Sequence, residues 1–332
     1  MFLQPFLNIV DNPSSQITNS LLPSTSLILP LSPTKRLKII IRPHPVPLRV
    51  AYASIKQDVN DIFETQSFDY ILHVGVGLNG GYKLETIAWG HGYSRPDVDG
   101  LVPVGETPQD EATLKKWEFL KRWGGSLKGG CEIMQEEVGG WLGTGLDVAW
   151  ICKNVQKGRV RFVGERERKT GGVEEETMIE VAVDLGDDSD GETRHHRPSK
   201  PNPEEAGAIT ENPQPQTSSE QKNKGYIIHP STDAGRFLCE YIFRKSLERV
   251  IAIRNDPEAR KPWDWRKSSS AATEPEPELE AENISKRVLF MHVPDVGHPY
   301  SIPDGVKALE QVIVGMVLDG EGLRKKRKKT AD

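Results

Sequence analysis

The chain has 332 residues, of which 36% are hydrophobic, and its formal net charge at pH 7 is −5. Acidic residues outnumber basic ones, so we expect neither nucleic acid nor an anionic membrane as a partner. The three cysteines include no close pair, which argues against a disulfide framework and a zinc site and indicates a reducing, cytoplasmic location.

The apolar content is concentrated in four stretches, namely 37–89, 143–163, 225–253 and 287–317. We interpret the chain as a single interrupted domain over residues 1–332. Three polar segments interrupt or end it: a disordered acidic and proline-rich insertion at 164–224, a second insertion at 255–283 and a basic disordered tail at 320–332. No segment approaches the roughly 20 apolar residues that a membrane-spanning helix needs.

The first elements in chain order alternate between strand and helix. A β-branched run at 38–42 predicts a strand, and apolar residues at near-helical spacing predict a helix over 50–63. The continuous apolar run at 70–76 leads into glycines, which is typical of a buried parallel strand. This order predicts an α/β fold whose ligands gather at the carboxyl ends of the strands.

The later elements continue the same pattern. They are a weaker strand pattern at 177–183 within the first insertion, a strand at 226–228, a helix at about 234–253, a strand at 288–293 and a last helix near 306–317. We therefore predict a three-layer α/β/α fold with a mostly parallel central sheet.

Cys239 lies near the start of the helix predicted at 234–253. Before it, Ser231 or Asp233 can cap the helix, and Gly235 permits a close approach of backbone to backbone. At a helix N-terminus the macrodipole favours thiolate over thiol, which makes a cysteine nucleophilic near neutral pH. The alternative is a small, inert core residue, which is the commoner state of a free cysteine.

A nucleophilic thiol needs a base and a group that orients the base. His292 interrupts an apolar strand just before a Val-Pro pair, which places an imidazole where a strand ends; a satisfied core histidine is the alternative. Glu85 follows the glycine-rich segment 75–81 and could orient a histidine, with an ordinary exposed glutamate as the alternative. His91, which lies between glycines, remains a second candidate base.

Three segments together resemble pyroglutamyl-peptidase I, the cysteine peptidase family that removes N-terminal pyroglutamate from peptides. Ser-Thr-Asp-Ala-Gly-Arg-Phe-Leu-Cys-Glu-Tyr-Ile-Phe at 231–243 is similar to the nucleophile motif of eukaryotic members. Phe-Met-His-Val-Pro at 290–294 is similar to the family's histidine strand, and 72–85 resembles its glutamate segment. The resemblance implies that Cys239 is the nucleophile, His292 the base and Glu85 the residue that orients His292.

The resemblance covers 5–105, 140–163, 225–253 and 287–317. It implies a phosphorylase- or hydrolase-like fold, a thiol protease activity with a thioester intermediate, and no metal or organic cofactor. The implied partner is a peptide with an N-terminal pyroglutamate. Four residues are implied in substrate binding: Phe6, Leu78, Asn79 and Arg95.

The start of the chain departs from the family pattern. Leu3 stands where the first pocket phenylalanine belongs, Leu78 replaces a polar residue common near the lactam, and the family's first strand has no counterpart. A missing central strand leaves two neighbours with unpaired backbone groups, so we expect a chain that is unstable or inactive without an upstream extension.

Two other functions stay open at this point. The departures favour a catalytically impaired family member that acts as an interaction protein through its insertions. The glycine-rich segment 75–81, taken alone, favours another hydrolase or a phosphorylase on a similar fold, although it lacks a phosphate-binding motif.

Overall fold

The computed structural model describes residues 12–21, 26–32, 34–44, 48–65, 68–77, 80–90, 92–103, 141–160, 162–164, 175–187, 227–255, 287–294 and 300–323. Among these residues, no helix combines the length and the apolar character that a membrane span requires.

Strands and helices alternate along the described chain. The strands are β1 (Ser26–Pro30), β2 (Lys35–Pro43), β3 (Leu48–Arg49), β4 (Tyr70–Val76), β5 (Tyr82–Glu85), β6 (Ile87–Trp89), β7 (Trp141–Gly143), β8 (Val163–Gly164), β9 (Glu175–Asp187), β10 (Ile228–Ser231) and β11 (Val288–Val293). The helices are α1 (Pro13–Asn19), α2 (Tyr52–Thr65), α3 (Val148–Gln156), α4 (Leu238–Asn255) and α5 (Ile302–Gly320).

The main sheet has the strand order β10-β5-β11-β4-β9-β2-β1-β8, and β3 pairs with the end of β9. Five pairings are parallel: β10 with β5, β11 with β4, and β9 with each of β4, β2 and β3. β11 with β5 and the two pairings of β1 are antiparallel. β6 and β7 form a separate two-stranded sheet.

Helices cover both faces of this sheet, as an α/β fold requires. One face packs against α1, α3 and α5, whose apolar stripes include Ile17, Ile151 and Val312. The other face packs against α2 and α4, which bury Ile55 and Phe243. The prediction of a three-layer α/β fold with a mostly parallel sheet is confirmed.

Central strand β4 shows why the sequence pattern was informative. All seven of its residues are buried, because both faces of a parallel sheet are covered by helices. β2, nearer the edge, alternates instead, with Leu37, Ile39 and Ile41 buried between half-exposed neighbours.

Strand β9 lies within 164–224, the segment that was predicted as a disordered insertion with a weaker strand pattern at 177–183. Its residues pair in parallel with β2 along one edge and with β4 along the other, and Ile179, Val181 and Val183 are fully buried. The alternation of apolar residues at 177–183 predicted this strand, but the acidic residues on both sides favoured disorder. Residues 165–174 and 188–224 lie outside the described residues.

The same strand bears on the expected gap in the sheet. β2 and β4 are both hydrogen-bonded to β9, so in the described sheet no place between them is left empty. No strands with unpaired edges are therefore found at this position, because the chain supplies a strand from its own middle. The expected instability or inactivity stays a prediction. Nearly all of 255–283, together with 324–332 of the tail, lies outside the described residues.

Two helix boundaries differ from the sequence prediction. α4 begins at Leu238, later than predicted, which makes Cys239 its second residue. α5 is longer than predicted, because Ser301 and Asp304 form a capping box that starts it earlier.

Candidate active site

The candidate site lies where β4 and β11 end and α4 begins. His292 is the penultimate residue of β11 and pairs with Gly75 of β4. Cys239 lies in the first turn of α4, and its side chain is half-exposed. Parallel strands present their carboxyl ends at one edge, so the fold brings an imidazole and a thiol from distant segments together.

Glu85 holds the imidazole in place. The His292 Nδ1 atom lies 2.7 Å from Glu85 Oε1, and the Glu85 side chain is fully buried. A carboxylate accepts, so Nδ1 carries the hydrogen and donates it to Glu85. Nε2 is then the ring nitrogen left for the Cys239 thiol, with which the His292 side chain is also hydrogen-bonded.

The charge state of His292 follows from these neighbours. Burial by itself lowers the pKa of His292, because it disfavours the imidazolium. The hydrogen bonds and the negative charges of Cys239 and Glu85 outweigh burial and raise the pKa from 6.5 to about 10. His292 therefore carries a positive charge at neutral pH, next to the Cys239 side chain.

Two glycines make room for this arrangement. A Cβ atom at position 75 would lie 2.9 Å from Phe290 Cζ and 3.1 Å from Cys239 Sγ. A Cβ atom at position 77 would lie 2.9 Å from the Cβ of His292. Gly75 and Gly77 therefore allow the side chains of Cys239 and His292 to approach the end of β4. This steric role explains these glycines without a bound phosphate.

Cys152 differs from Cys239 in every respect that matters for reactivity. It is buried on α3, and burial raises the pKa of its thiol to about 12. A thiol in such surroundings is inert. Cys131 and the alternative base His91 lie outside the described residues.

Glu240 is a site residue that the sequence interpretation missed. Its Oε1 atom accepts from the Trp89 N–H at 2.8 Å, and its Oε2 atom accepts from the Arg236 N–H at 3.1 Å. Burial raises the pKa of Glu240 to about 7, although the charge of Arg236 and the two N–H donors lower it. An acidic residue in the first turn is so common in helices that its position gave no signal.

Through Glu240, the turn before Cys239 is tied to β6. Arg236 has a φ of 51°, in the left-handed region, and its Nε atom lies 3.3 Å from Glu240 Oε1. Its guanidinium also stacks on the Trp89 ring, 4.7 Å from the ring centroid. These contacts hold an otherwise strained turn and so set the position at which α4 presents the thiol.

Two cavities meet at Cys239. The first, here called the apolar cavity, has about 540 Å³ of empty space, part of it open to solvent. Its lining is mainly apolar, with Leu48, Val50, Ile55, Phe237 and Ile242, but also includes Asn12, Arg49 and His73. The second, here called the charged cavity, has about 660 Å³ and is lined by Lys83, Arg95, Asp233 and His292. The thiol thus faces an apolar space on one side and a charged space, next to the imidazole, on the other.

Of the four residues implied in substrate binding, Arg95 lies within the described residues. Phe6, Leu78 and Asn79 lie outside the described residues. Arg95 is exposed and lines the charged cavity, and its carbonyl oxygen accepts from the Tyr52 hydroxyl at 2.9 Å. Within the described part of the chain, no group of three or more His, Cys, Asp or Glu side chains is arranged to hold a metal ion.

No protein-family model and no curated protein matches the chain. Among solved structures, that of pyrrolidone carboxyl peptidase from the hyperthermophile Pyrococcus furiosus, described with its cysteine-free mutant, covers 94% of this chain and 93% of its own, with 12% identity and a TM-score of 0.41. Two further mutants of that enzyme each cover 93% of this chain, with TM-scores of 0.44 and 0.42, identities of 12% and 13%, and 92% and 91% of their own chains. Because these TM-scores and identities are low, the chemistry assigned to the site rests on the geometry of the site itself.

Proposed function

We propose that this chain is a cytoplasmic cysteine peptidase that removes N-terminal pyroglutamate from peptides. The observation that supports it most is the connected set Cys239, His292 and Glu85, in which a buried carboxylate orients an imidazole that is hydrogen-bonded to a thiol. A nucleophile, a base and an orienting group are the three parts that covalent acyl transfer needs.

The geometry supports a two-step hydrolysis. The Cys239 thiolate attacks the pyroglutamyl carbonyl carbon, and a negative charge develops on its oxygen. The first backbone hydrogen bond of α4 runs from the Tyr241 N–H to the Phe237 carbonyl, so the N–H groups of Cys239 and Glu240 remain for that oxyanion. His292 gives its proton to the leaving amine, then takes one from the water that hydrolyses the thioester.

The apolar cavity suits the acyl half of such a substrate. A pyroglutamyl ring is small and uncharged. The mainly aliphatic and aromatic walls beside Cys239 suit its methylene groups, while its ring N–H and C=O require hydrogen-bond partners. A free N-terminal amine would lose its hydration in such a space without an acidic partner, which disfavours ordinary peptides. The lactam avoids this cost because its nitrogen carries no charge.

Hydrolysis of a fluorogenic pyroglutamyl amide tests the proposal. We expect the purified chain to release the fluorophore, and Cys239→Ser to lower kcat/KM by about 10³-fold or more, since an alcohol is far less acidic than a thiol. Cys152→Ala, in the buried cysteine, is the matched control and should keep the activity. The corresponding prolyl amide, which lacks the ring carbonyl, should not be cleaved.

A folded wild-type chain that leaves the pyroglutamyl amide intact would refute the proposal and favour the impaired, interaction-only alternative. Undiminished hydrolysis by Cys239→Ser would refute the role of the thiol.

A further inference from the structure

The charged cavity carries an excess of positive charge beside the nucleophile. Lys83 and Arg95 contribute two cations, and Asp233 contributes one carboxylate, whose Oδ1 atom already accepts from the Gly235 N–H at 3.2 Å. The side chains of Cys239 and His292 carry no net charge between them, whichever of the two holds the proton, and the Glu85 carboxylate is buried behind His292 and does not line the cavity. The space next to the site therefore attracts an anion rather than a cation.

The sheet register places Lys83 next to His292. It lies on β5 directly opposite His292 of β11, and residues directly opposite in an antiparallel pair project from the same face of the sheet. Glu85, two residues further along β5, lies on that face as well. The backbone ladder thus fixes Lys83 beside the base.

The Lys83 ammonium has no hydrogen bond or ion pair with the rest of the described chain, and the residue is half-buried. Removing part of an ammonium ion from water without a partner costs free energy. A ligand carboxylate in the cavity would form an ion pair with the Lys83 ammonium and so offset the lost hydration.

The position of the proton donor indicates which part of a substrate lies in the charged cavity. His292 has to protonate the leaving amine, so the departing peptide lies on the His292 side of Cys239. The acyl ring occupies the apolar cavity on the other side. The residue that follows pyroglutamate is therefore the part of the substrate nearest to Lys83.

We propose that the charged cavity binds a carboxylate of the residue after pyroglutamate, with Lys83 as the residue that determines this specificity. The carboxylate belongs either to an acidic side chain or to the free C-terminus of a dipeptide. This inference rests on the proposed peptidase function, which it narrows to a substrate class.

Four substrates and two variants test it. The substrates are pyroglutamyl-Glu amide, pyroglutamyl-Gln amide, pyroglutamyl-Lys amide and pyroglutamyl-Gln with a free C-terminus. We expect kcat/KM about tenfold higher for the Glu than for the Gln amide, since hydrogen bonds to charged groups are the stronger ones. The Lys amide should be the poorest substrate. A tenfold gain for free Gln over its amide would identify the terminal carboxylate as the ligand.

Lys83→Met keeps the length of the side chain and removes its charge. It should reduce the Glu-over-Gln and free-over-amide ratios to about one. Lys153→Met, on an exposed residue of α3, is the matched control and should keep both ratios. Wild-type ratios near one, or ratios that survive Lys83→Met, would overturn the inference. An equal decrease of kcat/KM for all four substrates in Lys83→Met would also overturn the inference. Lys83 would then only support the positions of Glu85 and His292 and would not bind the substrate carboxylate.

A second readout separates this inference from the proposed function. Iodoacetate is an anion and iodoacetamide is neutral, so the ratio of their alkylation rates at Cys239 reports an anion-attracting cavity without any peptide. We expect this ratio to fall about fivefold or more in Lys83→Met. An unchanged ratio contradicts the anion site even if pyroglutamyl amides are cleaved. A reduced ratio in a chain that cleaves none refutes the peptidase and leaves the anion site standing.

Discussion

Replacing His292 by glutamine is expected to lower kcat/KM for a pyroglutamyl amide by about 10²–10⁴-fold, the usual range for loss of a general acid and base. The glutamine amide can still donate to Glu85, so the buried carboxylate keeps a partner and the fold is retained. What disappears is the group that holds the Cys239 thiolate and delivers a proton to the leaving amine. Steady-state kinetics, with circular dichroism to verify folding, measure this effect.

The matched control is His229→Gln, on β10, a half-buried histidine that lines neither cavity. It should keep wild-type kinetics. If His292→Gln were as active as this control, His292 would be neither acid nor base, and the proposed mechanism would be wrong.

The pH dependence of wild-type activity extends the same prediction. Because the pKa of His292 is raised to about 10, the imidazolium persists through neutral pH, and activity should decline as the pH passes about 10. The folded-state pKa lies above its ordinary value of 6.5, so the associated stabilisation is complete below 6.5 and lost as the pH approaches 10. His292→Gln should abolish this alkaline limb.

The second large effect concerns β9 and the stability of the fold. Val181 is fully buried in the centre of the sheet, with β4 and β2 on either side. Val181→Asp places an unpaired carboxylate there, which should reduce the free energy of unfolding by about 4 kcal/mol or more, a large part of a domain's stability. Urea denaturation followed by tryptophan fluorescence measures the change.

Met178 provides a control on the same strand, since its side chain is 53% exposed. Met178→Asp should change the free energy of unfolding by no more than about 0.5 kcal/mol. Equal stability of the two variants would mean that β9 is not a core strand.

The sequence was most informative where one physical signal dominated. The continuous apolar run of β4 and the helical spacing in α2 predicted both elements within two residues of their observed ends. β9 has the alternation of a strand but lies between acidic clusters, so its composition favoured disorder. Only pairing with β2 and β4, which no local pattern encodes, shows that it belongs to the core.

The candidate site was also predictable only in part. Cys239, His292 and Glu85 were proposed from motifs, but their contact spans 207 residues between Glu85 and His292 and depends on the strand order. The roles of Gly75 and Gly77 followed only from the distances to the side chains they accommodate. Glu240 and Lys83 gave no local signal, because a charged residue near a helix start or a strand end is ordinary.

The central claim is that the Cys239 thiolate carries the pyroglutamyl group as a thioester. The chain can be mixed with a pyroglutamyl ester, quenched in acid within the first turnovers, digested and examined by mass spectrometry. We predict the added mass of one pyroglutamyl group on the peptide that contains Cys239, and none on the peptide with Cys152. Turnover of the ester without any adduct on Cys239, or with the adduct on another residue, would contradict the claim.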